Sequence, residues 1–413
     1  MNEQKFSAVA ATPANPDWEQ LTSREQPLYD RPDDIRSPFM RDYTRILHST
    51  AYRRLKHKTQ VFFNTDNDHI CTRMEHVSHV ESVSASIAIA LGLNEELTRA
   101  ISMGHDLGHA PFGHQGEVTI RELSEQYLKK DFWHEQNGLR FVDNIELLED
   151  SYRVNQNLNL TYAVRDGILS HCGEVDQNGI KPRGLDIPIQ DFDKPGKYQA
   201  ITWEGCVVKM ADKIAYVGRD IEDAISLGIL SDADQEELHQ MAGIFDRNVV
   251  NTTVIMHNMI LDICKNSDPK QGILLSPCFA QQLETIKTFN YEHIYHHKRL
   301  EPYVHYSELV IKEIFHFLYA LYDDNLWKIL HANHPYAPTL VSTFEGWLAK
   351  FTLPEILPEY LRTTADRCNN RKIYGSLQTE TLYAQAIIDY ISGMTDRFAI
   401  TVFNELLTFG FRE

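Results

Sequence analysis

The chain has 413 residues (47.7 kDa), with 40 Lys and Arg against 58 Asp and Glu, for a net charge of −18. Hydrophobic residues make up 43% and charged residues 24%, and Phe 19, Tyr 19 and Trp 5 supply the aromatic bulk of a packed core, which excludes a collagen-like or wholly disordered protein. The acidity weighs against broad nucleic-acid coating. The longest apolar candidate, Ser84 to Leu93, is about half of a membrane span.

Met1 to Trp18 lacks a basic segment followed by a long apolar run, so a signal peptide is not expected. Cys71, Cys172, Cys206, Cys264, Cys278 and Cys368 are scattered without a CxxC pair and read as thiols of a reducing compartment. A cytoplasmic, soluble protein is the expectation.

Residues 1–35 are polar and carry Pro13, Pro16, Pro27 and Pro32, which reads as an N-terminal arm. Ser37-Pro38 then offers a helix cap with proline at the first helical position, and Phe39, Tyr43, Ile46 and Leu47 share a face. A short extended piece is expected around Thr59 to Phe63. Val77, Val80, Val83, Ile87 and Leu91 mark a helix ending near Gly92, and another runs from about Glu95 to Asp106 before Gly104, Gly108, Pro111 and Gly113 break the chain. Asp176 to Gly196, rich in Gly, Pro and Asp, reads as a long loop or a small inserted hairpin. Helical spacing recurs at Ile244 to Ile263, Leu309 to Leu321 and Tyr383 to Leu407. The expected class is all-α, a helical bundle with additional C-terminal helices and at most a short β-hairpin. The expected division is an arm over 1–35, a core over 36–225 and a C-terminal helical region over 226–413.

Six of the 19 histidines (His76, His79, His105, His109, His114 and His134) lie between residues 76 and 134. Imidazoles and carboxylates together suit a hard-to-borderline divalent cation, and no thiolate spacing selects structural zinc. His76 falls on an amphipathic helix, His105-Asp106 comes next, and Asp212 lies in a later helical run. Four ligands on three helices can close around one ion inside a bundle.

The order His…His-Asp…Asp resembles the HD superfamily of metal-dependent phosphohydrolases. The fuller strings resemble its deoxynucleoside triphosphate triphosphohydrolase (dGTPase-like) branch. They are Arg53-Arg54-Leu55 with Lys58-Thr59-Gln60-Val61, Thr72-Arg73-Met74-Glu75-His76, and His105-Asp106-Leu107-Gly108-His109-Ala110-Pro111-Phe112-Gly113-His114. Further on come Trp133-His134-Glu135-Gln136, Asp212-Lys213-Ile214-Ala215-Tyr216 and Asp389-Tyr390-Ile391-Ser392-Gly393-Met394-Thr395-Asp396-Arg397. Glu75 and Val77-Ser78-His79 depart from the pattern of many members, and the last string has no assigned chemistry.

The resemblance implies that His76, His105, Asp106 and Asp212 hold a divalent ion, manganese or magnesium first, with iron, cobalt, nickel or zinc as alternatives. It implies His114 with Glu117 as a catalytic pair and His134 as a proton partner. Arg73 and Lys213 would contact phosphates, and Gln60, Tyr216 and Asp220 the sugar. His109 matches a substrate-contacting position in some members and reads equally as structural. The reaction implied is hydrolysis of a dNTP to deoxynucleoside and inorganic triphosphate. An HD nucleotidase or phosphodiesterase is the alternative enzyme. A nucleotide-sensing or single-stranded nucleic-acid-binding protein is the alternative from another class. Relatives of this kind imply a homo-oligomer, often a hexamer, with a nucleotide activator at a subunit interface.

From Arg36 to Lys58 seven basic residues face one acid, a local charge of +6, read mainly as a solvated face or subunit contact. Tyr295-His296-His297-Lys298 is a candidate for base recognition and reads as well as a surface helix end, and His171 reads as core or as a residue supporting the ligands.

Overall fold

The computed structural model describes residues 4–28, 34–62, 67, 69–150, 152–171, 178–242 and 252–408. The chain divides into two compact units: Met1–Leu47, Gln60–Asp106 and Asn159–Glu301 form the first, and His48–Thr59, Leu107–Leu158 and Pro302–Glu413 the second. The class is all-α, as expected. Among the described residues the strands are one antiparallel pair, Leu147–Glu149 against Asn155–Asn157, with Leu148 opposite Gln156. None of the described helices is long and apolar enough to cross a membrane.

In the first unit, helix Arg73–Leu91 opens on a capping box in which Thr72 and Glu75 serve each other's backbone N–H groups. That gives a structural reason for the departure at Glu75. Val77, Val80, Ile87 and Leu91 are buried where this helix packs on helices Glu95–Gly104 and Trp203–Ser226. Burying each such side chain is worth about 1.5–3 kcal/mol, against about 1 kcal/mol for a cap, so packing holds the helix and the cap sets its start. Gly92 ends it at φ +80°, where an added Cβ would lie 2.4 Å from Ser7 Oγ.

The polar opening segment is stitched into this unit. Phe6, Ala10, Ala11 and Leu21 are buried, and Phe6 packs edge-on against Trp203 at 4.9 Å. Buried Glu204 Oε1 accepts from Ala11 N and Asn94 N, both at 2.9 Å. Residues 178–196 form no hairpin: Ile180 pairs with Ile273, and Ile189–Asp191 makes a single helical turn. Of the second-half spacings, residues 243–251 lie outside the described residues, and helix Thr252–Asn266 takes up the remainder of the first.

The second unit contains helices Gly113–Leu128, His134–Arg140, Leu326–Asn333, Pro338–Leu348, Glu359–Asp366, Glu380–Ser392 and Asp396–Leu407, with most of helix Glu301–Tyr319. Tyr383 to Leu407 runs as two helices because Thr395 caps the second, its hydroxyl accepting from Phe398 N at 3.1 Å. Residues 59–62 of the expected extended piece make no more than an isolated bridge. There the Thr59 N–H donates to Asp396 Oδ2 at 3.0 Å, so a side chain takes the bond a strand partner would need.

That contact gives the Asp389–Arg397 string a physical role. Asp396 Oδ1 also accepts from Phe112 N at 2.9 Å, and Phe112 holds a left-handed φ of +64°. Buried Lys58 donates to Ser392 O at 2.9 Å and to His109 O. Asp389 accepts from Arg140 Nε at 2.8 Å and Nη2 at 2.6 Å, from Tyr374 OH at 2.6 Å and from Gln385 Nε2 at 3.0 Å. The two aspartates therefore pin the Lys58-Thr59 segment, the His109–Phe112 turn and helix His134–Arg140.

Candidate functional site

Helical spacing builds the group of side chains in the first unit. Arg73 and His76 stand three residues apart on one face of helix Arg73–Leu91, and Asp212, Tyr216 and Asp220 repeat every four residues along helix Trp203–Ser226. His105 and Asp106 lie just past the end of helix Glu95–Gly104. His76 Nε2 lies 3.0 Å from Asp212 Oδ1 and 4.0 Å from Asp106 Oδ2. His105 Nε2 lies 3.5 Å from Asp106 Oδ1 and 3.9 Å from Asp212 Oδ1.

The donor set fits a divalent ion. His–metal and carboxylate–metal bonds of about 2.0–2.2 Å place ligand atoms roughly 3 Å apart, close to the spacings observed. His105 Nδ1 is 2.6 Å from Ser102 O, which fixes its proton there and leaves Nε2 as the acceptor nitrogen. That Nε2 is buried and has no hydrogen-bond partner, as expected of an atom whose partner is an ion. His171, with Nδ1 2.7 Å from Ile168 O, packs 4.9 Å from the His105 ring and joins His105 and Asp106 in a second donor group.

Electrostatics agree with the geometry. Burial disfavours a charged Asp212, yet the hydrogen bond and charge of His76, with the neighbouring imidazoles, bring it down to about 2. Burial also opposes protonation of His76, but the bond to Asp212 and the carboxylate of Asp106 push it up. An ion would replace the proton they share. Arg73, only 1% exposed, donates from Nη1 to Asp106 Oδ2 at 3.0 Å, while its Nε and Nη2 are buried without partners. A buried guanidinium with two spare donors is a ready partner for phosphate oxygens.

Lys213 is next to Asp212 on the same helix, and both Lys213 and Tyr216 are half-buried. Gln60 Oε1 and Asp220 Oδ1 are buried without hydrogen-bond partners. Tyr295 OH donates to Asp220 Oδ2 at 2.5 Å. Burial raises Asp220 to about 7 despite that bond. The sequence singles out Tyr295 only as part of a surface cluster; it is half-buried at the end of an irregular turn, Tyr291–Tyr295, and no pattern points from it to Asp220.

In the second unit, His109, His114, Glu117 and His134 come together. Gly108 makes this approach feasible: a Cβ there would lie 2.1 Å from His134 O and from Gly138 N. His109 stacks on His134 with ring centroids 3.8 Å apart. Glu117 Oε2 is 3.0 Å from His134 Nδ1 and 4.0 Å from His114 Nδ1, and the His114 side chain is 72% exposed. The closer partner of Glu117 is thus His134, seventeen positions on, rather than His114, three positions before. Burial would raise Glu117, but the charges of His134, His109 and His114 and the bond to His134 hold it well below the usual carboxylate range. It stays ionised and fixes the His134 ring through Nδ1.

Residues 73–217 match the family model described as HD domain, and residues 355–405 match a phosphohydrolase-associated domain. A deoxyguanosinetriphosphate triphosphohydrolase-like protein of Desulfatibacillum aliphaticivorans is 34% identical over 380 residues, covering 91% of this chain and 89% of that one. One from Caldanaerobacter subterraneus subsp. tengcongensis is 33% identical over 374 residues, covering 90% and 86%. A third, from Rickettsia bellii, is 29% identical over 411 residues, covering 95% and 97%. With the HD motif residues gathered as described and this likeness running over most of its length, the chain belongs to the HD-domain family of deoxyguanosinetriphosphate triphosphohydrolase-like proteins.

Proposed function

We propose that this chain is a metal-dependent hydrolase that converts deoxynucleoside triphosphates to deoxynucleoside and inorganic triphosphate. The observation that carries the reading is the convergence of His76, His105, Asp106 and Asp212 beside a buried Arg73 with two unpartnered donors. The names of the relatives support the same substrate class.

These four residues would hold a divalent ion, manganese or magnesium first, which would lower the pKa of a water from about 15.7 towards neutrality and polarise a phosphoryl oxygen. Arg73 and Lys213 bind the phosphate chain, and Arg73 does so from a dry environment where each charge-assisted bond is strong. In the reaction, water oxygen bonds to the α-phosphorus, the P–O5′ bond breaks, and the O5′ leaving group takes up a proton. His134, oriented by Glu117, holds that proton, with exposed His114 as the relay to solvent. Such acid–base help is worth about 10²–10⁴ in rate. Gln60, Tyr216, Asp220 and Tyr295 define the sugar pocket, and close packing there excludes a 2′-hydroxyl only modestly by shape. His109 orients His134 by stacking. The same reading makes the protein a cytoplasmic homo-oligomer open to nucleotide activation.

The test is product analysis with each dNTP and NTP and Mg²⁺ or Mn²⁺, beside Asp106→Ala. Inorganic triphosphate with deoxynucleoside, lost in the variant, is the expected result. Orthophosphate or a nucleotide would move the chain to another HD hydrolase class. No turnover, even with mixed dNTPs as activators, would favour a binding protein.

A further inference from the structure

Outside the site above, the second unit carries another group of ligating side chains. His331 stands in the last turn of helix Leu326–Asn333, His334 comes three residues later, and Glu345 projects from helix Pro338–Leu348. One ligand atom from each lies within 4.8 Å of the other two. We propose that His331, His334 and Glu345 form a second metal site, selective for a borderline divalent transition metal of the zinc class.

Four observations carry this. The His-x-x-His spacing puts both imidazoles on one side of a helix end, with ring centroids 5.0 Å apart. Glu345, only 2% exposed, is held by Tyr360 OH, which donates to Oε1 at 2.6 Å and leaves Oε2 facing the imidazoles. Hydrogen bonding of a ligating carboxylate from behind is the usual support of a metal ligand. His334 Nε2 lies 2.9 Å from Glu345 Oε2, yet that nitrogen is buried and lacks the alignment of a hydrogen bond. An ordinary ion pair would align the two. The Tyr360 ring also packs 5.2 Å from His331, fixing the third ligand.

The chemistry selects the ion. Two imidazoles and one carboxylate suit zinc, and also nickel, cobalt and copper, far better than magnesium or calcium, which prefer all-oxygen shells. Ligand atoms of a tetrahedral zinc site sit about 3.3 Å apart for bonds of about 2.0–2.1 Å, so small rotations of exposed His331 close the site. Its exposure leaves the fourth position to water. A bound ion would tie helix Leu326–Asn333 to helix Pro338–Leu348, making the site a structural clip.

The experiment is metal stoichiometry on the full chain, stripped with chelator and dialysed against zinc, for wild type, His331→Ala, Glu345→Gln and His76→Ala. Losing His331 should remove about one equivalent of zinc without changing the unfolding midpoint in chelator, because that side chain is exposed. Glu345→Gln should remove the same equivalent, and His76→Ala should keep it. Replacing zinc by cobalt gives a visible band that His331→Ala should weaken by the share of one site and that His76→Ala should not weaken by that share. Equal zinc and equal cobalt absorbance in wild type and His331→Ala would overturn the proposal.

Discussion

Asp389→Ala should destabilise the second unit strongly, although Asp389 belongs to no proposed metal or substrate contact. The carboxylate is 1% exposed and accepts two charge-assisted bonds from Arg140. Each such bond contributes about 1.5–3 kcal/mol net, and stranding the buried Tyr374 hydroxyl costs about 1–3 kcal/mol more. Arg140 is 31% exposed, and a cavity of about 570 Å³ lined by Phe141, Trp347, Tyr390 and Asp389 adjoins the network, so water recovers part of the loss. Breaking a buried pair by removing one partner typically costs about 3–5 kcal/mol, and the lower end applies here. For a unit of 150–250 residues, each kcal/mol shifts the midpoint by roughly 2–4 °C, and about 3 kcal/mol gives a fall of roughly 6–12 °C. Asp389→Asn keeps the shape and one acceptor and should lose about half as much. Thermal unfolding monitored by circular dichroism, with Arg140→Met closing a double-mutant cycle, is the assay. A fall under about 2 °C for Asp389→Ala, or no coupling to Arg140, would show that this network does not hold the unit together.

Three further perturbations probe the site. Glu117→Gln should lower turnover by about 10²–10⁴ with little change in KM, since it removes the charge that holds His134; steady-state kinetics that show less than a threefold loss would count against the pair. In metal-free protein, Asp220 binds its proton until about pH 7 when folded, against 3.8 for its ordinary value. Between those values the folded state holds more protons, so wild type loses stability as pH rises and levels off above about 7. Asp220→Asn should remove that fall, a gain relative to wild type on the order of 2–3 kcal/mol between pH 5 and pH 8; parallel denaturation profiles would contradict it. Gly108→Ala forces backbone apart at 2.1 Å and should cost about 1–3 kcal/mol or more, with loss of activity as His109 and His134 separate; an unchanged midpoint and rate would show that the approach is not required.

The HD motif is legible in the sequence because His76 directly precedes the Val77–Leu91 pattern, His105-Asp106 follows the end of a second helix, and Asp212 lies inside a 24-residue helix. The packing of the opening segment is not legible, because its buried apolar residues, Phe6, Ala10, Ala11 and Leu21, are irregularly spaced, and Ala11 N bonds to Glu204, almost two hundred residues away. The same limit hides the closer partner of Glu117. Spacing on one helix points to His114, but the Gly108 approach brings in His134 from another element. Tyr295 and the Asp389 and Asp396 networks are long-range contacts of this kind, with no local period to announce them.

Hydrolysis in ¹⁸O-labelled water reports which atom the water attacks. If the four ligands and Arg73 direct attack at the α-phosphorus of a dNTP, the label should appear in inorganic triphosphate, none in the deoxynucleoside, with no reaction for Asp106→Ala. Label in orthophosphate, or product formation that survives Asp106→Ala, would contradict the account.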